Sequence, residues 1–532
     1  MRATSAVAIA ILLTSTAIPA LGQTVGGSGG NAGGAGTGGS GGTSAATVPG
    51  AGGSNGLAGA GGGGGGGAGT AGGVGGTGAG PSGGAGVAVA GADGNAGGAN
   101  SGGAGGTGGD HGAVVTTTSS NAGAINGGTG GNGGAGGTGG GGGGGAAGGY
   151  GVVLNGAAIT YSNSGTITAG NGGNGGAASS AGAAAGNGGG GGYGVFFNAA
   201  ATLSNSGTIT GGNGGAGGAA SGGATAGSVG LGGQGVIGSG ITIINSGTIT
   251  GGLNGDGVTR VDAIQFLSGS NTLTLQNGST IAGNIELDGN ASVTFNQSTA
   301  QTLGNVITGV GGSVVQSGAG ALTLSGANTY TGGTTINIAT LAVANNSALG
   351  TGTLEINGGT LQAGAAGLTI ANAINIANNG GTIDTNGNNL TLSGVIADQT
   401  PGIPGLFTKI GSGMLTLSGA NTFTGGTEVE RGTLQIAGSG TLGGTGSNVT
   451  VTSDGVNPAG ILDLGGTTQT LNGAGGINLR NGGTIQNGTL SSSAGFNFES
   501  GTVSAVLAGT GALSKTTTGT VTLSGANTYT GA

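Results

Sequence analysis

The stretch Leu322–Ile336, "LTLSGANTYTGGTTI", returns at Leu415–Val429 as "LTLSGANTFTGGTEV" and begins again at Val521–Ala532 as "VTLSGANTYTGA". Side chains alternate along an extended strand, so Leu322 and Leu324 share one face and Thr323 takes the other. Leu415, Thr416 and Leu417 repeat this pattern, as do Val521, Thr522 and Leu523. Ser-Gly-Ala-Asn then turns the chain, and Tyr330, Phe423 and Tyr529 hold one equivalent place beyond it. A second phrase recurs nearby: "NGGTLQ" at 357–362, "NGGTID" at 379–384, "RGTLQ" at 431–435 and "NGGTIQ" at 481–486. Thr360 and Thr382 lie 22 residues apart. Short strands returning at such a spacing, with Gly and Asn corners and no helical period, predict an all-β fold. The expected form is a right-handed parallel β-helix, each turn stacked on the last. Residues 258–532, at about 22 residues per turn, give roughly 12 turns and a stack about 60 Å long.

Working outward, the segment 150–257 has its own repeat. "YSNSGTIT" begins at Tyr161, "LSNSGTIT" at Leu203 and "IINSGTIT" at Ile243, which places Asn163, Asn205 and Asn245 at spacings of 42 and 40. The glycine-rich excursions between them, 169–192 and 211–235, read as loops thrown outward from a regular spine. Residues 23–149 contain no aromatic residue, and Asp93 and Asp110 are their only acidic groups. Such a segment has little apolar surface to offset the entropy of ordering, which predicts a flexible arm. The alternative is that its Gly-Gly-X triplets form three-residue extended helices, which bond side by side where glycine lets backbones approach.

The composition narrows the function. The chain has 532 residues, 153 glycines, no Cys, no Trp and only 4% charged residues, so disulfides and thiolate metal sites are excluded. The net charge is −8, and the six bases, Arg2, Arg260, Lys409, Arg431, Arg480 and Lys515, are scattered. No basic patch exists to neutralise phosphates, so nucleic acid is not an expected partner. The start, "MRATSAVAIAILLTSTAIPALGQ", carries a short basic n-region, an apolar run at 6–13 and a small-x-small site. This predicts a signal peptide, 1–22, cleaved after Gly22, and a secreted or surface protein.

The stretch 318–362, "GAGALTLSGANTYTGGTTINIATLAVANNSALGTGTLEINGGTLQ", resembles the passenger-associated transport repeat of bacterial autotransporters. A second copy, 411–435, keeps the front half, and a third, 517–532, is incomplete. The resemblance implies a Gram-negative envelope, a β-helical passenger whose repeats assist export and folding, and an outer-membrane β-barrel translocator. A barrel's alternating strands and aromatic girdles do not occur before Ala532. The expected domains are therefore 1–22, signal; 23–149, glycine-rich arm; 150–257, NSGTIT repeats; and 258–532, β-helix with an incomplete last repeat.

Candidate chemistry is sparse. Glu428 and Glu430 share a strand face as glycosidase carboxyls do, but the first repeat has Thr335 and Asn337 there, so both are expected outward beside Arg431. Glu286 and Asp288 have the same spacing and the same reading. His111, the only histidine, sits beside Asp110 and is expected in an exposed loop rather than a triad. "GGLNGDGVT" at 251–259 approaches a calcium-binding nonapeptide, but Asn254 replaces a glycine. No catalytic, cofactor-binding or metal residue is predicted. The expected function is a non-enzymatic stalk with an adhesive role toward a host or matrix carbohydrate or protein surface. The alternative is a passenger hydrolase acting on polysaccharide whose catalytic part lies elsewhere. An ice- or crystal-binding threonine array was weighed on Thr323, Thr416 and Thr522, which are too far apart in sequence to stack on one another.

Overall fold

The computed structural model describes residues 88–98, 102–455 and 458–531. The expected signal peptide and residues 23–87 of the expected arm lie outside the described residues. The described chain contains 45 short strands and no helix. It is a parallel β-helix with three faces, which the chain visits in fixed order.

The first face begins as a 7-stranded sheet, Ala113–Val115 to Ile307–Thr308, and resumes as an 8-stranded sheet from Leu368–Ile370 to Val521–Leu523. The second is an 11-stranded sheet, Ser119–Asn121 to Ile396–Asp398, resumed by a 3-stranded one, Thr468–Thr470 to Val506–Ala508. The third has 5 strands from Ala124–Asn126 to Thr280–Ala282, then 11 from Gln301–Leu303 to Leu513–Ser514. Within each sheet every pairing is parallel and joins strands of adjoining turns on the same face, as Leu322↔Leu341 and Leu341↔Leu361 illustrate. From Thr280–Ala282 onward the third face is crossed 12 times, the count that the sequence spacing implied.

Inward apolar residues fill one continuous core. Leu322, Leu324, Leu415 and Leu417 are fully buried, while Thr323 and Thr416 between them reach the surface. In the final strand, Val521–Leu523, which pairs on one side only, Leu523 is 37% exposed. The repeats do not superpose on one face. Leu322–Leu324 lies on the third face, whereas Met414–Leu417 and Val521–Leu523 lie on the first. A copy runs over all three faces in turn, and the later copies are advanced by one.

The phrase "SGANTY" is more than a turn. It crosses a face without forming a strand, and its asparagine side chain replaces the lost ladder bond. Asn328 Oδ1 accepts from Ile307 N at 2.7 Å and Asn328 Nδ2 donates to Ala348 O. Asn421 accepts from Ile396 N and donates to Thr441 O in the second copy, and Asn527 accepts from Leu507 N in the third. Tyr330 and Phe423 plug the core behind this gap, both fully buried.

The corners before each copy carry a second polar device. Gln316 and Lys409 occupy one repeat position and point inward. Gln316 Nε2 donates to the carbonyls of Gly318 and Gly320. Lys409 is fully buried, and its ammonium reaches the carbonyls of Ile410, Gly411 and Arg431 and the hydroxyl of Thr385, all within 3.1 Å. Burial pulls its pKa down to about 7, with Asp384 acting the other way.

The NSGTIT turns share a buried asparagine ladder. Asn121 donates to Asn163, Asn163 to Asn205 and Asn205 to Asn245, each at 2.8 Å, and Asn245 donates to Ser279. Asn121 belongs to "SSNAGAIN" at 119–126, a turn that sequence reading assigned to the arm; the coil thus begins by Ala113.

The expectation of disorder in the arm fails over its described part, 88–98 and 102–149. Each turn leaves the third face on an outbound glycine limb and returns to the first on an inbound one: 127–137 and 140–149, then 169–178 and 184–192, then 211–220 and 225–233. Outbound limbs bond to outbound limbs of the next turn every third residue, as Gly130→Asn171 O and Gly133→Asn174 O, both 2.8 Å. Inbound limbs do the same, as Gly145→Asn187 O and Gly148→Gly190 O. The intervening glycine donates across the layers, as Gly131→Thr107 O and Gly173→Ala146 O. The triplet alternative is therefore the one realised: two packed layers with the period of a threefold extended helix. A Cβ on Gly131 would lie 1.9 Å from Ala92 O, and one on Gly130 would lie 2.1 Å from Ala146 O. Two positions in each triplet thus require glycine, and only the third carries a side chain outward. Ala146, Ala147, Ala178 and Ala185 are exceptions, their methyls buried.

Candidate functional surface

The titratable residues picked from the sequence do not converge on a reaction centre. Glu428 and Glu430 are partly exposed on either side of the fully buried Val429. Burial, Glu428 and Asp454 raise the pKa of Glu430, while Arg431 lowers it. Arg431 itself pairs with Asp454.

Glu286 lies on the outer side of the first face near Asp262 and Asp288. Burial and these two carboxylates push its pKa up to about 7. Asp288 accepts from Gln265 Nε2 at 2.6 Å. Among the described residues no group of three or more His, Asp or Glu is arranged to hold a metal ion. In the nonapeptide-like loop, Asp256 accepts from the amides of Val258 and Thr259 and from the Thr259 hydroxyl. Its carboxylate thus closes a turn.

His111 departs from the exposed-loop expectation. It stacks on Tyr150 with ring centroids 4.7 Å apart, and Tyr150 stacks on Tyr193 at 4.8 Å. Its Nδ1 accepts from Tyr150 N, and burial lowers its pKa to about 4. The column sits where the inbound limbs rejoin the first face, against Phe196 and Ile237. It is a small outer core that staples the glycine layers to the coil. The one-per-turn recurrence of His111, Tyr150 and Tyr193, each one glycine before a strand start, was its only sequence signal.

The surface that the fold does assemble is in register from turn to turn and uncharged. On the third face, "TIT" strands at Thr166–Thr168, Thr208–Thr210 and Thr248–Thr250 are in register, each threonine opposite its counterpart. The intervening isoleucines, 167, 209 and 249, are fully buried, so the threonines face out. Thr280 extends one column by a further turn. The outbound limbs prolong the same ladder, since Gly127 N bonds Thr168 O and Ala169 N bonds Thr210 O. Their outward residues include Asn132, Asn171, Asn174 and Asn213, all exposed. These side chains lie along the layer: Asn132 Oδ1 accepts from Asn174 N, and Asn171 Oδ1 accepts from Asn213 N. Threonines 323 and 416 are also stacked, on Thr302 and on Thr391 and Thr369 respectively. Comparing the repeat copies only with one another concealed such columns, because neighbouring turns carry different phrases.

Comparisons with known proteins agree with the coil. Residues 314–343, 407–436 and 513–532 match the passenger-associated-transport-repeat family. The chain is 32% identical over 258 residues to the adhesin BmaC autotransporter of Brucella suis biovar 1 (strain 1330). That alignment covers 43% of this chain and 7% of the relative, so the chain spans a small part of the curated relative it matches. No solved structure matches. The chain is thus an all-β solenoid that carries passenger-associated transport repeats and is similar, over part of its length, to an autotransporter adhesin.

Proposed function

We propose that this chain is a non-enzymatic, surface-exposed or secreted passenger, a β-helical stalk that presents the glycine double layer and its flat faces for adhesion. The observation that supports this most strongly is the combination of transport repeats with an adhesin relative, on a coil in which Asp256 closes a turn and Lys409 fills a corner. In this reading residues 1–22 are removed after Gly22, the glycine-rich arm leads into a coil that begins by Ala113, and the NSGTIT turns and the repeat coil come after it. An outer-membrane β-barrel is the translocation partner, and the repeats assist export and folding. A host or matrix carbohydrate or protein surface is the target, engaged by many weak contacts that repetition multiplies.

Fusing the chain to an autotransporter barrel in a Gram-negative host tests this. Cells displaying it should adhere to matrix- or cell-coated surfaces. A variant with 127–149, 169–192 and 211–235 replaced by short turns should be exported but adhere less. Export without any gain in adherence would contradict the adhesive role. Turnover of a polysaccharide by the displayed chain would favour a hydrolase instead.

A further inference from the structure

The Thr-x-Thr face has properties that an adhesive stalk does not require. Its threonines form a grid in two directions. Successive turns repeat at about 4.8 Å, and alternate residues of one strand at about 6.7 Å. Threonine is stiff at χ1, so the hydroxyls and methyls hold fixed places. The side-chain oxygens of Thr166, Thr168, Thr208, Thr210, Thr248 and Thr250 have no hydrogen-bond partner among the described residues. Buried and corner threonines of the coil, such as Thr334, Thr385 and Thr441, by contrast use their hydroxyls internally. The grid itself contains no charged and no aromatic residue. It continues onto the outbound limbs, where Asn171 and Asn174 are held flat by the bonds they accept from the next limb.

A partner for this face must be periodic in two dimensions, uncharged and able to hydrogen-bond to a fixed hydroxyl lattice. A folded protein would seek a central apolar or aromatic anchor, and the grid offers none. A nucleic acid or charged lipid surface would seek basic groups. We propose that the Thr-x-Thr face binds a crystal plane of ice. Its hydroxyls join the outermost water layer, and its methyls hold that layer in place. The proposal goes beyond the adhesive reading and does not depend on it. A frozen surface would be an additional substrate for a displayed stalk.

Ice-affinity partitioning of the full purified chain tests it, with recrystallisation inhibition as a second readout. The chain should enter slowly growing ice, whereas a globular control should be excluded. A double substitution, Thr208→Lys with Thr210→Lys, should lower uptake by about tenfold or more. Thr202→Lys, on the second face, should leave it unchanged. Circular dichroism guards against misfolding, and Thr208→Val with Thr210→Val, which keeps the branched shape, should retain uptake well above the lysine pair. Exclusion of the native chain from ice would overturn the proposal. So would equal uptake by the native chain and the lysine pair, or exclusion from ice together with tight binding to crystalline cellulose or chitin.

Discussion

In residues 258–455 and 458–531 the interior is made of side chains, chiefly inward leucines, isoleucines, valines and phenylalanines stacked turn on turn. In residues 88–98 and 102–235 a second interior lies beside the first, and it is made of backbone. Its limbs bury almost no apolar carbon. They are held by amide-to-carbonyl bonds repeating every third residue. Ordering each residue costs roughly 1–2 kcal/mol, and each hydrogen bond returns about 0.5–1.5 kcal/mol. The double layer is therefore near balance by itself. It is ordered because each limb is tied at its base to a strand of a coil that is stable for another reason. The same chain thus shows two ways to fill space, one that needs large apolar side chains and one that excludes every side chain.

Exchanging the rules of the two regions should disturb them most. Leu415→Asp places an unpaired charge between turns and should destabilise the coil by about 4 kcal/mol or more, read by chemical denaturation. Gly173→Val should have a different effect, because its Cβ would sit 2.0 Å from Gly131 O. The limbs around 131–192 should open while the coil persists, so limited proteolysis should cut there and leave a stable fragment from 258 onward. Loss of both regions together would mean that the coil depends on the glycine layers.

A smaller effect is expected at Lys409. Lys409→Met leaves three carbonyls without a donor and should cost about 3 kcal/mol. Lys409→Gln, which copies Gln316, should cost about 1 kcal/mol or less. The sign of the pH effect follows from the lowered pKa, about 7 against an ordinary 10.5. Between these values the unfolded chain binds more protons than the folded one, so stability should rise with pH across that window. Denaturation at several pH values should show this rise in the native chain and not in Lys409→Gln. Smaller than Lys409→Met is Asn205→Ala, which interrupts the asparagine ladder and removes one of the two acceptors of the Asn163 amide, leaving Gly165 O. It should cost about 1–2 kcal/mol, with Asn163→Ala and Asn205→Ala together costing less than the sum of the two.

The coil was legible because stacking imposes the same demand on every turn. The alternation of Leu322, Thr323 and Leu324 declares the inward face, and the 42- and 40-residue returns of Asn163, Asn205 and Asn245 declare the stack. The ladder asparagines and "SGAN" were visible as repeats, but their burial was not. Sequence shows that a polar residue recurs, and only the coil shows that its neighbour one turn away supplies the bond. Gln316 and Lys409 escaped notice because different chemistries fill one position. The glycine segment was misjudged because apolar content was taken as the measure of order. Gly131 and Gly173 are informative through the carbonyl oxygens that approach them, and those belong to other limbs. The Thr-x-Thr grid was spelled out in "TIT", yet its flatness comes from the register of three separate copies.

Amide hydrogen exchange across 127–137 and 169–178, resolved residue by residue by nuclear magnetic resonance, reads the backbone-made interior itself. Gly130, Gly131, Gly133, Gly172, Gly173 and Gly175 donate to neighbouring limbs and should exchange slowly. The outward Ala135 and Ala177 should exchange fast, giving protection with a three-residue period next to the uniformly protected strand Thr208–Thr210. Fast exchange at all these glycines, with the strands still protected, would contradict a backbone-made interior.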